Sequence, residues 1–493
     1  MAPILIQLSR KKDSPLYRQI VDQVKSSIDA GDLPPGSTLP PSRQLAEQLG
    51  IDRSTVCEAY AELQALGYLR SRPGSYHYAE KRRREVAYDP QRPSTIAWAE
   101  QGSAESSEVL RAYREFSPRR EARAAGDNPR FDLASIDPDP RLYPLRDFRR
   151  SVRHVLDAAG TECLQYGDPQ GYEPLRETIA RRLRLHGISV SKDEILVTHG
   201  AQQGIDLLAR LFSAPGRSAV VESPTYSFAL PLLRFNRLEV VGVPMTPEGM
   251  DLDGLARTLG KIRAAFVYTM PNFHNPTGIT TAHRHRERLL DLCFRRNVPI
   301  VEDGFEEEMK YGGPVALPLK SIDAGQIVVY LGTFSKVLFP GLRIGWITAD
   351  KELIGRLLAI KRFSDLTTNA FGQRVMHRFC ELGLYDRNLR RLHRLFKRKM
   401  AVALEALEAS FPAGTTWTRP SGGYAIWVTM PKKFSAGDLL RRLAPSGVDV
   451  SPGEPYFPRG GPSAHFRLSI ARPNEAEIGE AIGRLGRALR AFC

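Results

Sequence analysis

Thr333-Phe334-Ser335-Lys336, with Arg343 seven residues beyond the lysine, follows the apolar run Ile327–Leu331. An uninterrupted apolar run of this length is the signature of a strand buried on both faces, as in a parallel sheet flanked by helices. A lysine set between hydroxyls at the end of such a strand, with a guanidinium close behind, has a definite chemistry. Its amine can condense with an aldehyde, while the hydroxyls and the arginine hold a phosphate. The stretch therefore predicts a phosphate-bearing aldehyde held at Lys336.

Working outward, other strand ends carry matching groups. Gly200-Ala201-Gln202 closes the run Ile195–Thr198 and opens a helix, so its backbone N–H groups and helix dipole can bind the same phosphate. Asp303, after Val298–Glu302, can pair with a protonated ring nitrogen. Asn275 in Asn275-Pro276-Thr277-Gly278 can bond a ring hydroxyl from a tight turn, and Tyr226 in Ser223-Pro224-Thr225-Tyr226 offers a face for stacking. Taken singly, Asn-Pro-Thr-Gly is usually only a turn, a lysine after a strand is usually solvated, and Asp303 can serve as a helix cap. Their co-occurrence at successive strand ends carries the reading.

Further apolar runs at Ala219–Glu222, Leu238–Val243, Ala264–Met270 and Gly345–Thr348 alternate with helical stretches. This predicts an α/β sandwich on a mostly parallel sheet. A long helix near 385–410, strands at Tyr424–Met430 and Phe466–Ile470, and a final helix predict a smaller α+β domain.

The first eighty residues read differently. Leu16, Ile20, Val24 and Ile28 recur at spacing four and predict a helix ending near Gly31. Pro40-Pro41 breaks the chain, Ser42 is expected to cap a short helix ending at Leu49, and Gly50 supplies a turn. Asp52 then caps a third helix through Val56, Ala59, Tyr60 and Leu63. A short helix, a tight turn and a longer helix form a helix-turn-helix, whose second helix enters the DNA major groove. Arg53, Ser54 and Thr55 fall at its groove-facing start. Leu69–Tyr78 reads as a hairpin around Pro73-Gly74, with Arg70 and Arg72 on a wing. Cys57, on the recognition helix, is expected to be a packed thiol.

Residues 80–129 turn rich in charge, Ser, Ala and Pro, with the basic run Lys81-Arg82-Arg83-Arg84 at their start. They read as a flexible linker with a helix near 105–116. The organisation expected is thus a winged helix-turn-helix over 1–79, a linker over 80–129 and an α/β body over 130–493. Within the body, a large subdomain spans about 165–375, and a small one combines 130–164 with 376–493.

Composition sets bounds. The formal net charge is +15, which favours polyanionic partners. The five cysteines are scattered, with no Cys-x-x-Cys pair, a pattern of a reducing cytosol rather than a disulfide framework. No residue cluster has metal-ligand spacing, no apolar run is long enough to cross a bilayer, and no signal peptide is evident. A cytoplasmic location is the expectation.

Leu39-Pro40-Pro41-Ser42-Arg43-Gln44-Leu45-Ala46 and Leu49-Gly50-Ile51-Asp52-Arg53-Ser54-Thr55-Val56 resemble a GntR-type winged helix. The resemblance points to Arg43, Arg53, Thr55 and Arg72 for DNA contact; the second wing glycine usual in that family is replaced by Tyr76. Residues from about 130 onward resemble a fold-type I, class I aminotransferase, in the form fused to a GntR-type winged helix in MocR-type regulators. That resemblance implies pyridoxal 5'-phosphate as cofactor, with a Schiff base at Lys336. It assigns Asp303 to the ring nitrogen, Asn275 to the ring hydroxyl, Arg343 to the phosphate and Arg467, in Phe466-Arg467-Leu468-Ser469, to a ligand α-carboxylate. The stretch Tyr166-Gly167-Asp168-Pro169-Gln170-Gly171-Tyr172 also matches. Its tyrosine implies a homodimer in which Tyr166 reaches the phosphate bound by the partner subunit. The sequence departs from the pattern at Glu302-Asp303-Gly304-Phe305, where relatives carry Glu-Asp-Asp-Tyr, so Phe305 has no hydroxyl for the ring oxygen.

Two functions are then compatible. One is a regulator that binds operator DNA and senses a small amine or amino acid through aldimine exchange at Lys336. The other is a working aminotransferase with an appended DNA-binding module. The complete set of caps, core positions and reading residues in the N-terminal module favours the regulator.

Overall fold

Three helices build the N-terminal core because each has one apolar stripe and a glycine that stops it. Leu16–Ala30 buries Ile20, Val21, Val24 and Ile28 and ends at Gly31, whose φ of 87° no β-carbon residue adopts easily. Ser42–Leu49 buries Leu45 and Ala46 and ends at Gly50 in the left-handed region. Arg53–Ala65 buries Val56, Ala59, Tyr60 and Leu63 against them. The Tyr60 hydroxyl donates to the Pro40 carbonyl at 2.8 Å, fixing the proline turn to the third helix. Leu69–Ser71 and His77–Ala79 then pair antiparallel, Leu69 opposite Ala79.

Two expectations need correction here. Ser42 is not a cap: Pro41 holds that position in extended geometry, Ser42 is the first helical residue, and its hydroxyl accepts from Arg53 Nε at 3.3 Å. The fixed φ of the proline starts the helix one residue early. Cys57 is exposed rather than packed, because the buried stripe of its helix runs through Val56, Ala59, Tyr60 and Leu63 and leaves it on the open side.

The computed structural model describes residues 5–9, 14–71, 76–80, 96–124, 130–313 and 316–490. It separates Met1–Ala97 from Trp98–Cys493 as two units. The wing tip with Arg72 and Pro73-Gly74, and the basic run at 81–84, lie outside the described residues.

The helix expected near 105–116 in the linker is longer than its sequence suggests. Ala104–Ala124 is one helix, and it belongs to the second unit. Ser103 caps it by accepting the Ser106 N–H at 3.1 Å. It lies along the helix Ala229–Phe235, with ion pairs Glu108–Arg234 at 3.3 Å and Glu105–Arg237 at 3.0 Å. A tertiary partner supplies the stability that its polar composition does not advertise.

In the second unit an eight-stranded sheet runs, edge to edge, through Ile195–Thr198, Gly345–Thr348, Val328–Thr333, Ile300–Asp303, Arg263–Thr269, Arg217–Ser223, Glu239–Thr246 and Gly249–Met250. From Val328–Thr333 to Glu239–Thr246 the pairings are parallel. Gly345–Thr348 is antiparallel to both neighbours. Apolar side chains pack on both faces, as the unbroken runs required. The parallel strands therefore end on one side, the side where open α/β sheets bind ligands.

The smaller subdomain has a four-stranded antiparallel sheet of Thr416–Trp417, Ala425–Phe434, Ser463–Ser469 and Ser451–Pro452, backed by Leu384–Ser410 and Glu475–Arg490. Phe131–Asp132 joins it by pairing with Val448–Asp449. That carries the chain at Ala134–Asp137 from the smaller subdomain to the mouth of the cleft.

Candidate functional site

A cavity of about 810 Å³ opens at the strand ends, and Ala201, Gln202, Tyr226, Asn275, Asp303, Thr333, Ser335, Lys336, Arg343 and Arg467 all line it. Residues spread over more than 260 positions of sequence thus meet because the parallel strands end together. Gly200 sits directly beneath.

The turn at Gly200 is built for an anion. Its φ is +81°, and a Cβ there would lie 2.5 Å from the Arg343 guanidinium, so only glycine fits. Arg343 Nη2 donates to the His199 carbonyl at 2.9 Å, which holds the guanidinium over the start of the helix Ala201–Phe212. That helix has no side-chain cap, so its first N–H groups, at the positive end of its dipole, are left for an anion. Gln203 braces the turn, accepting from His199 N at 2.8 Å and donating to Asp365 at 2.7 Å. Thr333 Oγ1 donates to Ser335 Oγ at 3.0 Å and accepts the Ser335 N–H at 3.1 Å, placing both hydroxyls beside Lys336.

Lys336 Nζ lies 3.3 Å from Asp137 Oδ1, a carboxylate that no motif singles out. Asp303 is buried; one oxygen accepts the Tyr268 hydroxyl at 2.6 Å and the other, Oδ1, has no partner. Burial pushes this carboxyl up to about 6, against the hydrogen bond from Tyr268. Glu306, also buried, is pushed up to about 8 by burial, with the Lys336 charge opposing the shift. Glu302 is pushed up to about 7 by burial and accepts the Leu319 and Lys320 N–H groups at 2.7 and 2.8 Å, which makes it structural.

Asn275 and Arg467 were expected to act separately, yet they touch. Arg467 Nη1 donates to Asn275 Oδ1 at 2.8 Å and Nη2 donates to the Ala134 carbonyl, so the arginine ties strand Ser463–Ser469 to the large sheet. Its Nε is buried without a partner. Phe305 lines the cavity as an apolar wall, and the hydroxyl nearest Asp303 comes instead from Tyr268 on the adjacent strand. Tyr166 lies apart, beside a second cleft with Asp168 and Arg374.

These residues fit pyridoxal phosphate on their own chemistry. The orphaned Asp303 oxygen requires a donor such as a protonated ring nitrogen, and the glycine-floored, arginine-roofed helix start requires an anion. Tyr268, Asp137 and Glu306 escaped the sequence reading. Tyr268 carried a weak signal, being a polar tip in a buried strand; the other two are visible only after folding.

In the N-terminal unit Arg43, Arg53 and Ser54 are exposed and Thr55 is half-buried. Asp52 caps their helix by accepting the Ser54 N–H at 2.7 Å. Arg70 is engaged by Glu80 at 2.8 Å.

The fold and pocket define a pyridoxal-phosphate-dependent transferase scaffold carrying a DNA-binding head. Residues 139–485 match the family aminotransferase class I and II, and residues 16–76 match bacterial regulatory proteins of the gntR family. Aromatic-amino-acid aminotransferase 1 of Thermococcus litoralis is 36% identical over 73% of this chain and 87% of its own length. The uncharacterized HTH-type transcriptional regulator YdcR of Escherichia coli is 30% identical over 96% of this chain and 99% of its own. The structure of LysN, the alpha-aminoadipate aminotransferase of Thermus thermophilus complexed with N-(5'-phosphopyridoxyl)-L-leucine, superposes with a TM-score of 0.74 at 33% identity, covering 80% of this chain and 99% of that one. The chain belongs to the class I and II aminotransferase family and, with its GntR-type head, to the MocR-type regulators within it.

Proposed function

We propose that this protein regulates transcription by binding operator DNA as a homodimer and that a small amine or amino acid entering the Lys336 pocket resets that binding. The observation that carries the reading is a complete cofactor and carboxylate pocket on the same chain as an intact helix-turn-helix. Bound pyridoxal phosphate supplies an aldehyde carbon open to primary amines and a ring that withdraws electrons.

The chain's own residues do the rest. Arg343, Thr333, Ser335 and the helix start at Ala201 would hold the phosphate, and Tyr226 offers the ring a face. Asp303, held in place by Tyr268, would accept a hydrogen bond from the protonated ring nitrogen. Lys336 provides the exchanging amine, and Asp137 sits where it can accept a proton from Nζ. Arg467, its Nε unpaired, anchors a ligand carboxylate. Because Arg467 also bonds Asn275 across the two subdomains, a carboxylate that draws it away alters the contact between them. A ligand shifts a conformational equilibrium only through such state-dependent contacts.

Phe305 favours sensing over turnover, since it leaves the ring oxygen without the hydroxyl found in relatives. In the DNA-binding unit, Arg43, Arg53, Ser54 and Thr55 contact phosphates or base edges, with Arg70 and Arg72 on the wing.

Lys336→Ala tests the site. The variant should bind cofactor without the lysine-linked absorption band; persistence of that band places the covalent link elsewhere.

A further inference from the structure

The pocket's chemical residues leave a large part of its wall without a task. Lys336, Arg343 and Arg467 are the cations among the described residues that line it, and each already has a partner group in the proposed function. Most of what remains is apolar. Val109, Ala112 and Tyr113 come from the linker helix Ala104–Ala124, and Pro231, Leu232 and Phe235 come from the helix beneath it. Asp137 and Asp449 add negative charge to the lining.

Given the proposed function, on which this inference rests, we infer that the effector is an α-amino acid with a bulky, uncharged apolar side chain, aromatic or branched aliphatic. Its side chain packs against Val109, Ala112 and Tyr113 of the linker helix. A second carboxylate would find no free cation in this wall and two aspartates nearby, and leaving a charge unpaired there is costly. A ligand with a small side chain would leave the apolar wall facing water. An apolar side chain covers surface that is now open: Tyr113 and Phe235 are 52% and 44% exposed.

The linker helix is suited to respond. It rests on half-exposed apolar contacts and on two ion pairs whose partners are themselves partly exposed, and such pairs contribute little. A ligand side chain that completes the apolar contact therefore changes how firmly this helix is seated. In sequence, this helix follows the residues that lead back to the DNA-binding unit.

The test uses the full-length, cofactor-loaded protein. L-phenylalanine, L-leucine, L-alanine, L-aspartate and γ-aminobutyrate are titrated by the cofactor absorption band and, in parallel, by calorimetry. Phenylalanine and leucine should bind at least about tenfold more tightly than alanine and aspartate. In Ala112→Arg and Leu232→Ala the preference for phenylalanine over alanine should fall at least about fivefold, with the alanine response reporting that each variant is folded. A preference for aspartate or γ-aminobutyrate, or an undiminished phenylalanine preference in both variants, overturns the inference. Absence of the lysine-linked band in the unmodified protein overturns the proposed function itself, a separate result.

Discussion

At the residue scale the pocket is defined by what its members cannot be exchanged for. Gly200 combines a positive φ with a 2.5 Å approach to the Arg343 guanidinium, so Gly200→Ala strains the backbone and displaces the phosphate-binding arginine together. Cofactor affinity should fall at least about tenfold, measured by equilibrium dialysis; an unchanged affinity would move the phosphate elsewhere. Asp303 carries a pH signature. Its carboxyl lies at about 6 in the fold against 3.8 ordinarily, so its stabilising contribution to the cofactor-free protein is fully present below about 3.8 and lost as pH rises through about 6. Glu302 and Glu306, pushed up to about 7 and about 8, extend the loss upward. The cofactor-free protein should therefore melt at a lower temperature at about pH 8 than at about pH 5, and Asp303→Asn should shrink that difference. A variant with the same pH dependence would remove Asp303 from the account. Lys336, Arg343 and Asp303 were legible because their residue types and order announce a chemistry. Tyr268 and Asp137 were not, because their contacts depend on strand neighbours and on a segment two hundred positions away from Lys336.

At the scale of elements, the recognition helix was readable from its cap and stripe, whereas the linker helix was readable only over 105–116, short of its full length and without its packing partner. Asp52 and the buried Val56, Ala59, Tyr60 and Leu63 satisfy local rules that hold before any tertiary contact forms. Ala104–Ala124 has a polar text, and its apolar residues make sense only against Ala229–Phe235. The misplaced cap at Ser42 has a similar lesson: Pro41 overrides a side-chain preference through backbone geometry. Arg53 tests the DNA-facing element. Arg53→Ala removes an exposed guanidinium at the helix start and its bond to Ser42. Operator affinity should fall by roughly 1–3 kcal/mol if Arg53 reads a base, with a lowered salt slope if it holds a phosphate. Unchanged affinity and slope at physiological salt would assign the contact to Arg43 or the wing.

For the whole molecule, the account needs two copies of the chain and a link between pocket and DNA. Tyr166 is 84% exposed and Leu164 beside it 69%, which is the disposition expected of a segment that completes a partner's site. Mixing Tyr166→Phe with Lys336→Ala chains should give hybrid dimers in which one pocket lacks both groups and the other keeps both, restoring roughly half of the lysine-linked absorption per hybrid at limiting cofactor. Recovery no greater than that of the separate variants would argue against shared sites. Coupling between pocket and DNA is read by fluorescence anisotropy of an operator duplex, selected in vitro on the full-length protein, with and without a binding amine. DNA affinity should change several-fold to roughly 100-fold for the cofactor-loaded protein and not at all for Lys336→Ala. Unchanged DNA affinity, together with steady keto-acid formation on the order of 1 s⁻¹ or faster, would contradict it and make the body a working aminotransferase.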